Sequence, residues 1–457
     1  MKRNLIFFTI ISVLAVSCGI KNYSPIEFSS KDSLMRDYNS TDTTNIASMP
    51  WSTFYTDTTL TALIKEGLQN NMDLKVALYR IEQAAAYYKK SKSDFYPNLS
   101  ANASASYKGD YQGSKAGQLY NFGISTSWEV DIWGKIRNAK KAKYASLLAQ
   151  ESSKNAIITQ LIASIAQSYY ALVAYDTQKD LVEETIINRT NYYKTVKALK
   201  ESAQVNEVAV LQAEAQLCNA QGYIPSINAA IRSTENTICY LLGRVPGPIA
   251  REITQNINEI QLTDAPLGVS AQLLHNRPDV LAAEKTVMGY FYNLKATKAA
   301  MYPALTISGN TGFDSNALKS WMNITSTAWS IAAGLVQPIF NGRALRTQKE
   351  VAYYQYQQSI IEFKSSVLNA GMEVSNAMSQ IKSNSELAVY QYKQCIALGK
   401  AYEFSIDLLL NGYATYLDVL TAQDGVFNSK LSFITTLQNY SNAKIELYRA
   451  LGGGWKE

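Results

Sequence analysis

The chain has 457 residues, of which 47% are apolar and only 18% charged. That is enough for a core, with less charge than the ~25% of an ordinary soluble domain. The formal net charge of +6 includes Lys2 and Arg3 at the extreme N-terminus. It is too weak for a nucleic-acid binder, and no basic patch with interleaved aromatics occurs.

Lys2 and Arg3 precede the apolar run LIFFTIISVLAV, which is too short to span a membrane, and AVSC follows, ending at Cys18. This predicts a signal peptide over 1–17, lipid attachment at Cys18 and a lipidated extension over 18–50. Several acyl chains on one cysteine would hold the protein stably at a membrane. No later apolar run reaches about 18 residues, so no transmembrane helix is expected. Cys218, Cys239 and Cys395 lack CxxC or Cys/His spacing and read as small buried apolar groups. His275 is the single histidine and reads as structural. No nucleophile–base set, phosphate loop or metal cluster is visible, so neither an enzyme nor a cofactor is expected.

A first structural repeat is expected over 51–244. Pro97 stops an incoming helix, and LSANASASYK alternates apolar and polar as a strand over about 99–108. After a hairpin connection at 108–118, a second strand over about 119–133 is two-sided. Tyr120, Phe122, Ile124, Thr126, Trp128, Val130 and Ile132 share one face; Asn121, Gly123, Ser125, Ser127, Glu129 and Asp131 share the other. From Lys135 to Gln221 there is neither Gly nor Pro, and Leu161, Ile162, Ile165, Tyr169 and Leu172 recur at helical spacing. The spacing predicts a helix over about 135–203, roughly 100 Å long at ~1.5 Å per residue. A turn is expected at 201–209, with Asn206 as N-cap. Residues 222–277, with Pro225, Pro246, Pro248 and Pro266, read as the irregular middle, and 245–275 as the connecting segment.

The second repeat, 276–457, is expected to contain strands over about 304–313 and 327–340 and a long helix over about 343–410. The fourth strand is less clear, since IAAGLV is apolar on both faces. A turn follows at 411–420, where Gly412 suits a helix C-terminus and Thr415 with Asp418 has capping-box spacing. NMDLKVALYRIEQ aligns with NRPDVLAAEKTVM, VDIWGKIR loosely with QPIFNGRAL, VLQAEAQL with VLTAQDGV, and YLLGR with RALGG. A period of a little over 200 residues marks a duplicated half.

Short strands with one apolar and one small polar face fit a membrane barrel wall. A soluble sheet with one solvated face has the same pattern but leaves ~100 Å helices without a purpose. Four strands cannot close a barrel, and open edges are not tolerated in lipid, so copies must assemble; eight strands from two chains or twelve from three both remain possible. Glu129 and Asp131 are candidates for the lumen face. Tyr107, Tyr120, Trp128, Trp133, Phe313, Trp321 and Trp329 are candidates for interfacial aromatic girdles. Lys135, Arg137, Lys140, Lys141 and Lys143 open the first long helix, where the dipole disfavours cations; they either meet anionic headgroups or are simply solvated.

WEVDIWGKIR (128–137), NRPDVLAAE (276–284), LLGRVPG (241–247), QPIFNGRAL (337–345) and PWSTFYTDTTLTALIKEGLQNNMDL (50–74) resemble signatures of the TolC-type outer-membrane efflux proteins, above all their lipoprotein branch. The resemblance runs from about residue 50 to the C-terminus. It implies a mainly α chain with membrane β: a homotrimer in which each chain gives four strands to a 12-stranded β-barrel continuous with a long periplasmic α-helical barrel. It implies a passive exit duct in the outer membrane, in contact with its lipid, for a tripartite (RND-type) pump that exports drugs or other toxic small molecules. Its partners would be a periplasmic adaptor protein and an inner-membrane transporter. Asp418 matches an acidic, pore-facing gate position through YLDVLTA; Thr421 stands where relatives often carry a second Asp, and Ala203 where Gly is common. The same channel serving type I protein secretion is an alternative. A structural periplasmic lipoprotein without a pore is an alternative of another class.

Overall fold

The computed structural model describes residues 22–25, 46, 49–108, 117–251, 276–320 and 322–455. Cys18 with its signal segment, His275, Trp321, the tip of the first strand hairpin and most of 245–275 lie outside the described residues. The described elements are α1 (Trp51–Phe54), α2 (Thr58–Asn70), α3 (Met72–Ser93), β1 (Asn98–Lys108), β2 (Gly117–Val130), α4 (Lys135–Glu201), α5 (Glu207–Leu241), α6 (Pro278–Ala299), β3 (Ala304–Ser315), β4 (Thr327–Val336), α7 (Ala344–Leu410) and α8 (Tyr416–Ala450). They group into two compact units. One holds the sheet and the chain on either side of it, 84–147 and 284–361; the described residues of the other, drawn from 31–83, 148–283 and 362–457, are mainly helical.

In the sheet unit the strands lie in the order β1-β2-β3-β4, each antiparallel to the next. Two strand ends differ from expectation. β2 stops at Val130, because the chain turns at Gly134, whose φ is +77°. β4 stops at Val336, because Pro338 has no N–H to give a ladder. β3 instead continues to Ser315.

Register sorts the side chains cleanly. Ala101 lies opposite Ile124, Ile124 opposite Thr311, and Thr311 opposite Trp329. Ser100 lies opposite Ser125, Ser125 opposite Asn310, and Asn310 opposite Ser330. Directly opposed residues share a face. The ambiguous fourth strand is resolved this way. Trp329, Ile331, Ala333 and Leu335 join the apolar face, and the other face receives Ala328, Ser330, Ala332, Gly334 and, at the helix end, Val336.

In the helical unit Leu161, Ile162, Ile165, Tyr169 and Leu172 of α4 pack with Trp51, Leu60, Ile64, Ile238, Leu242 and Tyr448. An 18-residue window of α4 is apolar enough, by length and composition, to cross a membrane, contrary to the sequence expectation. Within that helix Leu161, Ile162, Ile165, Tyr169 and Leu172 are buried in the protein core. Asp57 joins core and cap: one oxygen accepts Thr59 N and Leu60 N to start α2, the other accepts the Tyr169 hydroxyl at 2.8 Å.

Pro225 does not end a helix; α5 passes through it. One lost backbone bond is outweighed because Ile227, against Val182 and Phe427, and Ile238, in the main core, are buried farther along the same helix.

The duplication survives at the backbone. Left-handed conformations at Gly134, Ala203 and Gly243 recur at Gly342, Gly412 and Gly452, a little over 200 residues on. Near the first of the last pair, Asn71 Nδ2 donates to Leu241 O at 2.9 Å. Near the second, Arg277 Nη1 donates to Ala450 O at 2.8 Å. A Cβ on Gly243 would come within 2.6 Å of Asn70 O, so this close approach also requires glycine.

Candidate channel wall and hairpin tips

The wall is the sheet. Its apolar face is open in the single chain: Trp329 is 76% and Ile331 74% exposed, and Leu99, Tyr107, Ile124 and Leu335 are exposed beside them. An apolar face of this kind, on a sheet with two open edges, is a surface that partners other than water would cover. The polar face carries a hydrogen-bonded lattice. Ser100 Oγ and Ser125 Oγ are 2.7 Å apart, Asn102 Nδ2 donates to Asn121 Oδ1 at 3.2 Å, and Asn121 Nδ2 donates to Asp314 Oδ1 at 2.5 Å. Asp314 was missed in the sequence because the third strand was expected to end at 313; extending the alternation by one residue would have found it.

Most of the aromatic candidates fall at the two ends of the strands. Tyr107, Tyr120 and Phe313 share the apolar face near the hairpin end of the sheet, and Trp329 shares that face in the row of Thr311 and Ile124. Trp128 is near the helix end, where its Nε1 donates to Phe95 O at 3.0 Å. Trp133 lies beyond β2 and is engaged internally. It stacks on Tyr302 with ring centroids 5.1 Å apart, and its Nε1 donates to Pro303 O at 2.8 Å.

Glu129 and Asp131 are committed to the start of α4. Asp131 is past the end of β2. Its Oδ1 accepts Ile136 N at 3.0 Å and its Oδ2 accepts Arg137 N at 2.9 Å, which places a carboxylate at the positive end of the helix. Glu129 binds Lys135 at 2.8 Å. The remaining cations of the cluster sit over rings of the same unit: Lys140 over Phe95, Lys141 over Tyr292 and Lys143 over Tyr87. Arg137 pairs with Asp131. The charges offered to lipid headgroups by the sequence therefore all have protein partners.

The second region is the pair of hairpin turns. Between α4 and α5, Ala203 N donates to Lys200 O and Gln204 N to Leu199 O. Between α7 and α8, Gly412 N donates to Leu409 O and Tyr413 N to Leu408 O. Both are Schellman closures, which need a left-handed residue at the first position after the helix. Gly412 takes it freely at +77°; Ala203 takes it at +57°, where its Cβ is crowded. Ala203→Gly is expected to stabilise the first turn by about 1 kcal/mol, read as slower amide exchange at Gln204. Unchanged exchange would mean that this turn carries no such strain.

The caps also correspond. Asn206 accepts Ala209 N at 3.1 Å, and Lys200 pairs with Glu207 across the first turn. In the second, Thr415 and Asp418 form a reciprocal capping box: Thr415 N and Oγ1 donate to Asp418 Oδ2 at 2.8 and 2.6 Å. The Thr415 hydroxyl, then its backbone N–H, hold the exposed Asp418 carboxyl below its usual range. Their contribution is present above the ordinary carboxylate range near ~4 and is lost as pH falls through the lowered value. Exchange at the Thr415 amide, corrected for intrinsic rate, should be constant from neutral pH down to ~4 and rise below it. In Asp418→Asn this acid step should vanish; a step of the same size would assign it to another group.

Tyr192 OH donates to Tyr416 O at 2.8 Å and so ties α4 to the start of α8. Farther along the helices, the guanidinium of Arg189 donates to Gln216 O at 2.6 Å and Asp424 at 2.5 Å, joining α4, α5 and α8. Burial lowers the Arg189 pKa against the pull of Asp424, and burial raises that of Asp424 against the pull of Arg189. NRPD forms a second knot: Arg277, 2% exposed, binds Asp279 and Glu373, each at 2.7 Å. Burial opposes both carboxylates, yet Arg277 holds each below its usual range. Arg189 does not stand out in the sequence by spacing, because its partners lie on other helices; for Arg277 the near partner Asp279 is visible in NRPD, but Glu373 is not.

Relatives share this layout over nearly their whole length. Cation efflux system protein CusC of Escherichia coli O157:H7 is 29% identical over 90% of this chain and 90% of its own. The probable outer membrane lipoprotein SilC of Salmonella typhimurium is 28% identical over 95% and 93%. A solved structure of CusC, from work on folding and transmembrane channel formation, superposes with a TM-score of 0.83 at 27% identity over 92% of this chain and 100% of that one. The profile of the outer membrane efflux protein family matches residues 63–244 and 269–453, and the chain belongs to that family.

Proposed function

We propose that the protein is the outer-membrane exit duct of a tripartite efflux pump for small toxic compounds, driven by an inner-membrane transporter through a periplasmic adaptor. The observation that carries this reading is the sheet. It is two-sided and open-edged, with Leu99, Ile124, Trp329 and Ile331 exposed on one face and a lattice of Ser, Asn and Asp on the other. Three copies close a twelve-stranded barrel with room for water, in which β1 of one chain pairs with β4 of the next. α4 and α7, each of 67 residues, supply about 100 Å of wall at ~1.5 Å per residue.

At the tips Leu410 and Tyr413 are 79% and 82% exposed, a surface suited to an adaptor. Asp418 is the gate candidate there, in addition to its capping role. Tyr23, packed edge-on to Phe291 at 5.7 Å, holds the chain against α6 only five residues after Cys18. The lipid anchor would then be within about 17 Å of that helix. That SilC is named a lipoprotein supports the same reading.

The purified protein should give stepwise conductance in planar bilayers and crosslink to trimers. Crosslinking that stops at dimers would overturn the closure, and absence of conductance even after Asp418→Ala would overturn the duct.

A further inference from the structure

The polar face of the sheet has few charged positions, and Lys108, at the end of β1 opposite Gly117, is one of them. Among its described side chains the carboxylates are Glu129 and Asp314, and Glu129 is paired with Lys135 next to the helices. Asp314 is at the opposite end. β3 leaves α6 at Ala304 and reaches Ser315 just before the connection to β4, so Asp314 lies at the end of the wall remote from the helices.

Its surroundings are arranged. Asn102 on β1 donates to Asn121 on β2, which donates in turn to Oδ1 of Asp314 on β3. Asn121 and Asp314 are directly opposed, whereas Asn102 lies opposite Gly123, two residues nearer the helix end, so the three side chains step diagonally across three strands. Asn102 and Asp314 are exposed and Asn121 is half-buried. The two amides are aligned head to tail with their donors towards the carboxylate. They fix one of its oxygens and leave the other accepting positions open to the lumen.

We propose that Asp314 sets the charge preference of the outer mouth. In three copies it forms a ring of carboxylates, oriented by Asn102 and Asn121, that concentrates small cations and repels small anions where the duct opens to the outside. This rests on the duct reading and deepens it. Lys319 follows five residues later, and the first strand hairpin contains Lys108, Asp110 and Lys115 in sequence; the ring acts against that background. Its reach is a Debye length, ~10 Å at 0.1 M salt and ~3 Å at 1 M.

The test is single-channel recording of the trimer in planar bilayers at 0.1 M and 1 M KCl. Asp314→Asn keeps the acceptor for Asn121 and removes the charge. Conductance at 0.1 M is expected to fall by about two-fold with it, and equality with the unaltered protein is expected at 1 M. Asp314→Lys should shift the reversal potential in a KCl gradient towards the anion side. Unaltered conductance at 0.1 M and unaltered reversal potential in both variants of a conducting trimer overturn the ring and leave the duct intact. A trimer that conducts at neither salt concentration, with or without Asp418→Ala, overturns the duct and the ring with it. Trimer yield after detergent extraction shows that each variant is assembled; a variant that forms no trimer assigns Asp314 to assembly and overturns the charge role.

Discussion

Ile124→Lys is expected to destabilise the membrane form by about 2–4 kcal/mol per chain, and Ser125→Lys by less than about 1 kcal/mol. The two residues are adjacent at the middle of β2, so depth and backbone environment are nearly equal. What differs is the face. Ile124 lies between Ala101 and Thr311 on the apolar side, and Ser125 between Ser100 and Asn310 on the polar side. A lysine on the first face must leave water at the depth where snorkelling helps least. On the second it remains hydrated, and the loss is the 2.7 Å contact with Ser100. In a trimer the penalty at Ile124 is incurred three times, so the readout is the amount of trimer in the outer-membrane fraction and its urea midpoint in vesicles. Equal effects would mean that the sheet does not face lipid on one side and water on the other. The reverse order would mean that the faces are exchanged.

Arg189→Met should cost about 3–5 kcal/mol, and Arg189→Met/Asp424→Leu should recover most of that loss. Arg189 is 3% exposed, with its charge shared between Asp424, a backbone carbonyl and the face of Phe427. Removing the cation alone leaves a half-buried carboxylate and the Gln216 carbonyl without their donor. Replacing both ions removes the reason for the cost. The opposed pKa directions at Arg189 and Asp424 have the same origin: burial acts against both ions more strongly than each partner supports the other. The double variant then tests whether the pair serves alignment of α4, α5 and α8 rather than net stability. Urea unfolding in detergent, followed by helical circular dichroism for the two single variants and the double, gives the coupling energy. No recovery in the double variant would assign the loss to side-chain packing instead.

Elements whose signal is local were legible in the sequence. The first long helix follows from the absence of Gly and Pro together with apolar spacing, and Leu161, Ile165, Tyr169 and Leu172 are indeed core residues. The second is its counterpart in the duplicated half and continues through Gly371 and Gly399. The alternation in β1, β2 and β3 is visible because a strand has a period of two. The turn residues Gly412 and Thr415 with Asp418 announce their caps because capping is settled within four residues. The duplication is legible too, since each half repeats the same local instructions.

Only the tertiary structure decided what depends on partners distant in sequence. The face of each β4 residue follows from pairing with β3, which IAAGLV by itself leaves open. Asp131 looks like the last lumen residue of a strand, yet the turn at Gly134 brings the start of α4 back to its carboxylate. Pro225 reads as a break, but burial of Ile227 and Ile238 carries α5 through it. Arg189, Arg277 and Asp314 owe their roles to neighbours on other helices or strands. Local pattern thus determined the elements and the two-sided wall, because those energies arise among near neighbours. The charge knots and the mouth required the fold, because a buried ion or an aligned amide is defined by what surrounds it in space.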